Sequence, residues 1–162
     1  MASGLSVQQI RDFKIQQEDF YTVKEEVDGL FYKHWEEVAD NKDKIKLNPD
    51  WSFYEQVYLA GNLGVYTIRH LEKLVGYFVV IARSHPHYKD HIFASNDIVF
   101  IDPEYRKGLA GYFLIKYAEQ DLKDKGVSVL MINVRVRKPF DAVLQRLGFS
   151  KVERQYSKYI GE

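Results

Sequence analysis

Val23, Val27, Leu30, Phe31, His34, Trp35 and Val38 recur every three or four positions after Phe20. That spacing lines one face of an α-helix and predicts a single helix over 19–39, which Gly29 weakens slightly. Before it, Phe13 and Ile15 predict a short first strand. Asp40 to Asn48 is polar and reads as a loop. Pro49 opens a second helix carrying Trp51, Tyr54, Val57 and Tyr58, ended by Gly61-Asn62. Gly64–Leu71 and Leu74–Arg83 then read as two strands with a tight turn at Glu72-Lys73. His85 to Asp90 reads as a second turn, and His91 to Ile101 as the third strand of a meander.

Ile98, Val99, Phe100 and Ile101 close that strand, because Pro103 can neither donate to a ladder nor let Asp102 turn helical. Gly108 and Gly111 flank the start of a helical pattern over 108–125. Leu109, Phe113 and Tyr117 form one row and Leu114, Ala118 and Leu122 the next, with Lys123, Lys125 and Gly126 as its end signals. Val127 to Val134 is a nearly uninterrupted apolar run, as expected of a strand buried on both faces beside a parallel neighbour. Strand, helix and strand make a right-handed βαβ unit. Pro139 starts a helix with Phe140, Val143, Leu144 and Leu147 on one face, Gly148-Phe149 ends it, and Val152 to Ile160 is read as a last strand or strand pair. The expected class is α/β (α+β), with a mixed central sheet in the order β-α-α-β-β-β-α-β-α-β. One domain is expected over 1–162, with residues 1–10 allowed to be flexible.

Composition narrows the function. The chain has no cysteine, which excludes disulfides, thiolate metal sites and a cysteine nucleophile and fits a reducing cytoplasm. No apolar run is long enough to span a membrane. The net charge is zero, yet residues 1–60 carry 7 Lys/Arg against 12 Asp/Glu while residues 61–162 carry 16 against 11. A basic second part suits a phosphate-bearing ligand and an acidic first part a cationic one, although solvated helix faces give the same asymmetry. The balance disfavours nucleic acid as a partner.

A strand running through a glycine-bearing loop into a helix N-terminus presents free amides and a dipole to an anion, and Arg106 and Lys107 add two cations. Neither the P-loop pattern nor the dinucleotide glycine fingerprint is present. The stretch Ile101-Asp-Pro-Glu-Tyr-Arg-Lys-Gly-Leu-Ala-Gly111 resembles the acyl-CoA pyrophosphate loop of the GNAT family of N-acetyltransferases. Pro103, Tyr105, Arg106 and Gly111 match the motif. Leu109 stands where its first glycine is expected, and Gly108 comes one residue early. The element order and the closing Leu147-Gly148-Phe149 also match. His34-Trp35-Glu36-Glu37, His85-Pro86-His87-Tyr88 and 97–106 resemble acetyltransferases carried by tailed phages.

The resemblance implies a fold, a co-substrate and a site. Acetyl-CoA would lie between two splayed strands, with backbone of Val99, Phe100 and Ile101 on its pantetheine arm. Amides from Arg106 through Lys107, Gly108, Leu109 and Ala110 to Gly111 would hold the diphosphate. Asn133 and Phe140 would face the arm, and Lys107, Arg137 and Lys138 are candidates for the 3′-phosphate. The acyl group would pass directly to an amine, with no metal. A lysine-like amine is neutral only about once in 2,500 at pH 7, roughly 4.6 kcal/mol from its reactive form, so a base is useful. Ser95 and Asp97, taken to share a strand face with Val99, stand at the positions where the family often places one. Asp97 is the preferred base, against a carboxylate that merely caps a turn. Leu144 occupies the position of the family's acid tyrosine; Tyr105, Tyr112, Tyr156 or Tyr159 would have to substitute, or the thiolate leave unaided.

His85, His87 and His91 with Asp90 fit no zinc spacing and read as surface turn residues, with His85, His87 or Tyr88 as alternative lining of the acceptor pocket. The expected partners are an acyl-CoA and an amine acceptor on a small molecule, peptide or protein. A homodimer is allowed, and no membrane is expected. The alternative is a module of this fold that binds CoA or a host protein without catalysis.

Overall fold

A computed structural model describes residues 12–106 and 108–162, so the expectations for residues 1–10 and for Lys107 lie outside the described residues. The strands are β1 (Phe13–Gln17), β2 (Leu63–His70), β3 (Lys73–His85), β4 (Tyr88–Ile101) and β5 (Val127–Met131). They lie side by side in chain order, the first four antiparallel and β5 parallel to β4. The helices are α1 (Phe20–Glu26), α2 (Asp28–Val38), α3 (Trp51–Leu59), α4 (Ala110–Asp124) and α5 (Asp141–Arg146).

The sheet is buried on both faces, which is why β3 reads as the apolar run Val75–Ile81. Phe78 and Val80 point into a cluster with Leu114, Ala118 and Leu122 of α4. Tyr77 and Val79 point the other way, onto Phe20, Val23, Val27 and Leu30 of α1 and α2. Gly76 lets β3 close on the end of β4: a Cβ there would lie 2.8 Å from the Phe100 carbonyl oxygen and 2.8 Å from Ile68 Cγ2.

Arg69 is the polar centre of the α1 side. It is 6% exposed, and all of its N–H donors are used. Nε and Nη2 reach the two Glu18 oxygens at 2.8 and 3.0 Å, Nη1 and Nη2 reach Glu26 at 2.7 and 2.8 Å, and Nη1 also meets the Glu72 carbonyl at 2.9 Å. Burial alone would raise the Glu18 carboxyl; hydrogen bonds from Arg69, Thr67 and Gln16 hold it below its usual value instead. The Glu72 contact steadies the β2–β3 turn, where Leu71 and Glu72 both have positive φ, +47° and +68°. The turn is therefore Leu71-Glu72, one residue earlier than expected.

Three further expectations are corrected. The 19–39 helix breaks at Val27, where one residue ends α1 and begins α2. Gly29 has no atom near its missing Cβ, so it loosens the helix without any packing return. Strand β5 stops at Met131 and is the sheet's outer strand, with Val129 and Met131 38% and 41% exposed rather than buried on both faces. Residues 149–162 form no strand: Val152, Tyr156 and Ile160 fall every fourth residue, not every second, and lie in solvent. The last helix begins at Asp141, two residues after Pro139, and closes as expected with Phe149 N–H on the Leu144 carbonyl around Gly148 at φ +87°.

Candidate active site

The ladder between β4 and β5 ends at Ser95↔Met131. Past that point the side chain of Asn96 takes the place of strand backbone: its Oδ1 accepts from Asn133 N–H at 2.6 Å and its Nδ2 donates to the Asn133 carbonyl at 3.4 Å. Beyond Asn133 no strand pairing joins the two segments, and β4 from Ile98 to Ile101 keeps only β3 as a strand neighbour. A β-bulge lies at this point. Val80 opposes Asn96 while Val79 opposes Ile98, so Asp97 is an extra residue in β4. Such an insertion bends the strand and increases its twist.

The bulge also shifts side-chain alternation. Ala94 and Val99 both pack on the α4 side, so Ser95 shares its face with Ile98 and Phe100, not with Val99 as expected. Asp97 is released from the pleat and reaches the α3 side, where its Oδ2 accepts a hydrogen bond from Tyr54 Oη at 2.7 Å. Burial first, and this bond second, raise the Tyr54 phenol. The partner lies 43 residues away, so no local sequence signal marks it.

After β4, Asp102 caps a 3-10 turn at Pro103–Tyr105 through Glu104 N–H and takes Lys33 Nζ at 2.7 Å. Burial would raise the Asp102 carboxyl, but Lys33 and the Glu104 amide bring it below its usual value. Gly108 follows with φ +73°, where glycine is preferred. Helix α4 then starts at Ala110, leaving its first amides without intrahelical acceptors. A Cβ on Gly111 would meet only Ile101 Cδ1, at 3.8 Å. The protein's own packing does not demand glycine there; a ligand against the first turn of α4 would.

Two of the candidate cations, Arg106 and Arg137, are paired with carboxylates. Arg106 grips Glu37 with both terminal nitrogens at 2.7 Å, donates from Nε to the Ile101 carbonyl at 2.6 Å and lies over the Phe100 ring. The Ile101 carbonyl is thus occupied. Arg137 pairs with Asp40, and Arg135 reaches the same carboxylate at 3.4 Å. Phe140 caps α5, and Leu144 is buried.

The sequence model of the acetyltransferase (GNAT) family matches residues 18–149 of this chain. The chain belongs to that family. No sequence among curated proteins matches it. Solved structures share its fold. An aminoglycoside acetyltransferase from an uncultured soil metagenomic sample, solved with sisomicin, superposes with a TM-score of 0.70 at 15% identity over 94% of this chain and 97% of its own. Glucosamine-6-phosphate N-acetyltransferase from Arabidopsis thaliana gives 0.69 at 16% identity, over 92% and 99%. A predicted acetyltransferase from Clostridium acetobutylicum, solved with acetyl-CoA, gives 0.69 at 10%, over 91% and 96%.

In this GNAT protein, then, the loop, the fork and the bulge fall within one stretch, from Ser95 to Gly111. The histidine turn does not join them. His85, Tyr88 and Phe93 stack on one another at 4.4–6.0 Å at the opposite end of β4. Tyr88 and Asp97 are nine positions apart along the strand, on the order of 30 Å, so these side chains lie far from Asp97. Among the described residues no three His, Asp or Glu side chains gather as metal ligands, and no helix is long and apolar enough to cross a membrane.

Behind the fork lies His34 of α2, a titratable group the sequence placed only on a helix face. Its Nδ1 is 2.9 Å from Tyr77 Oη, and its ring stacks on Phe100 at 4.8 Å. Burial lowers its pKa to about 4. The folded state keeps His34 neutral while the unfolded chain protonates it near 6.5, so stability is full above pH 6.5 and lost as pH falls toward 4. Between pH 7.5 and pH 5 denaturant unfolding is expected to show about 2 kcal/mol of loss from this group. His34→Gln should flatten that part of the profile.

Proposed function

We propose that this GNAT protein transfers an acyl group, acetyl first among them, from acyl-CoA directly to a primary amine, with Asp97 as the general base. The observation that carries the proposal is the fork: β4 leaves β5 at Ser95, and the bulged residue at that point is a carboxylate. The diphosphate is held by the amides that open α4 around Gly108, Leu109, Ala110 and Gly111. The arm runs along β4 backbone at Val99 and Phe100, where half of the peptide groups face away from β3. Asn133 and Phe140 close the far wall.

In the reaction Asp97 takes a proton from the bound ammonium group, the neutral nitrogen bonds to the thioester carbonyl carbon, the C–S bond breaks, and the second nitrogen proton passes to the departing CoA sulfur. Backbone donors and fixed geometry supply most of the acceleration. Ser95, on the same side of the sheet, borders the acceptor. The whole of 1–162 acts as one acyltransferase domain, and the tailed-phage resemblance and cytoplasmic setting rest on sequence.

A thermal-shift comparison of acetyl-CoA, CoA and unrelated nucleotides tests the site. Acetyl-CoA and CoA at a hundred times their dissociation constants should stabilise the fold by about 2.7 kcal/mol. Gly111→Trp, which fills the first turn of α4, should remove the shift while melting normally. Equal stabilisation of wild type and variant would overturn the proposal.

A further inference from the structure

Asp97 is held by a single contact. A bulge residue is not fixed by cross-strand neighbours on both sides, and this one is exposed. Among the described residues the only donor on its carboxylate is Tyr54 Oη, on Oδ2 at 2.7 Å. Oδ1 receives none. Tyr54 is itself well fixed: its ring lies 6.0 Å from Trp51 and 5.6 Å from Phe53 and packs against the α1–α2 cluster. On β3 it faces Val79 and Val80, whose register partners Ile98 and Asn96 flank it along β4, and across the fork stands Asn133 on Asn96. Behind Tyr54 come Tyr77 and the His34 ring bonded to it.

We infer that Tyr54 is the positioning residue of the acceptor-activating carboxylate: its hydroxyl fixes the Asp97 rotamer through Oδ2 and leaves Oδ1 to receive the amine proton. The inference rests on the proposed role of Asp97. One consequence follows from a donor on one oxygen. The accepting oxygen points one way, which matters because general-base catalysis depends on reach within hydrogen-bond distance. One proton moves from the ammonium nitrogen to Oδ1, the N–C bond then forms as the C–S bond breaks, and the second nitrogen proton leaves with CoA as its thiol; Tyr54 donates throughout and changes neither charge nor bonding. Helix α3 thereby has a task although none of its residues is buried.

The test compares wild type, Tyr54→Phe, Tyr54→Gln, Asp97→Asn and the Phe/Asn double variant. The readout is CoA thiol release from acetyl-CoA with a lysine peptide, an aminosugar and a linear polyamine, resolved into kcat and KM. Tyr54→Phe should lower kcat about tenfold with KM little changed. Tyr54→Gln, which keeps a donor, should recover part of that loss, and if Tyr54→Phe does not fold it carries the comparison alone. Adding Tyr54→Phe to Asp97→Asn should cost nothing more. A kcat unchanged by Tyr54→Phe while Asp97→Asn is inactive, a loss confined to KM, or a further loss in the double variant overturns the role of Tyr54. Full activity of Asp97→Asn overturns instead the base assignment on which it rests.

Discussion

Asp97→Asn should lower kcat for acetyl transfer by about 10²–10⁴-fold, the usual contribution of a positioned base, with acetyl-CoA affinity unchanged. Asparagine keeps the size of the side chain and an oxygen for Tyr54 Oη, so the bulge and the hydrogen bond both survive the change. What is lost is the carboxylate that takes the proton. The defect should therefore shrink as pH rises, about tenfold per unit until the amine deprotonates itself, because solvent then does what the carboxylate did. Steady-state rates from pH 6 to pH 10 measure this. A pH-independent deficit would mean that the substitution had damaged binding geometry, and no deficit at all would remove Asp97 from the chemistry.

Arg69→Met is expected to cost about 3–5 kcal/mol of folding stability, the range for breaking a buried ion pair from one side. The guanidinium holds two carboxylates and a turn carbonyl, and the Glu18 side chain is only 10% exposed. Methionine fills the volume and leaves Glu18 charged and unmatched, with the strained Leu71-Glu72 turn released as well. Denaturant unfolding reads the change directly, and the melting temperature should fall by roughly 10 °C or more. Glu18→Gln in the same chain should return a good part of the loss, since the uncompensated charge is the larger component. If Arg69→Met melts like wild type, the clamp is ornamental. Catalysis by the folded fraction should hardly change, because Arg69 lies on β2, two strands from β4.

Where the chain was readable, the constraint was local. Pro103 ends a strand by its own ring, and Gly108 meets a positive φ within its own residue. The rows from Leu109 to Leu122 need only helical pitch, and α4 follows them. The strand that feeds the loop and the helix that leaves it were placed to within a few residues. What stayed hidden depended on partners distant in the chain. Asp97 looks like any strand residue until Val79 and Val80 are seen to skip it, so the faces of Ser95 and Val99 were assigned by an alternation that fails at that point. Tyr54, Glu37 and Asp40 gave no signal, because their partners come 43 to 97 residues later. The tail from Val152 to Ile160 reads as a strand or strand pair, but its apolar spacing of four fits no pleat.

The two ion-pair contacts that join α2 to the loop have an electrical consequence. Lys33 and Glu37 stand one helical turn apart, and so, in the loop, do Asp102 and Arg106; each helix charge finds its opposite. Together with Asp40 on Arg137, they neutralise at home the guanidinium groups that would otherwise project a field into solvent. A polyanion drifting past at a distance of a Debye length feels little from these two groups. Their charge is spent on holding the loop in shape, so what they add to capture is a fixed set of peptide dipoles that act over a few ångström, on molecules that have already collided.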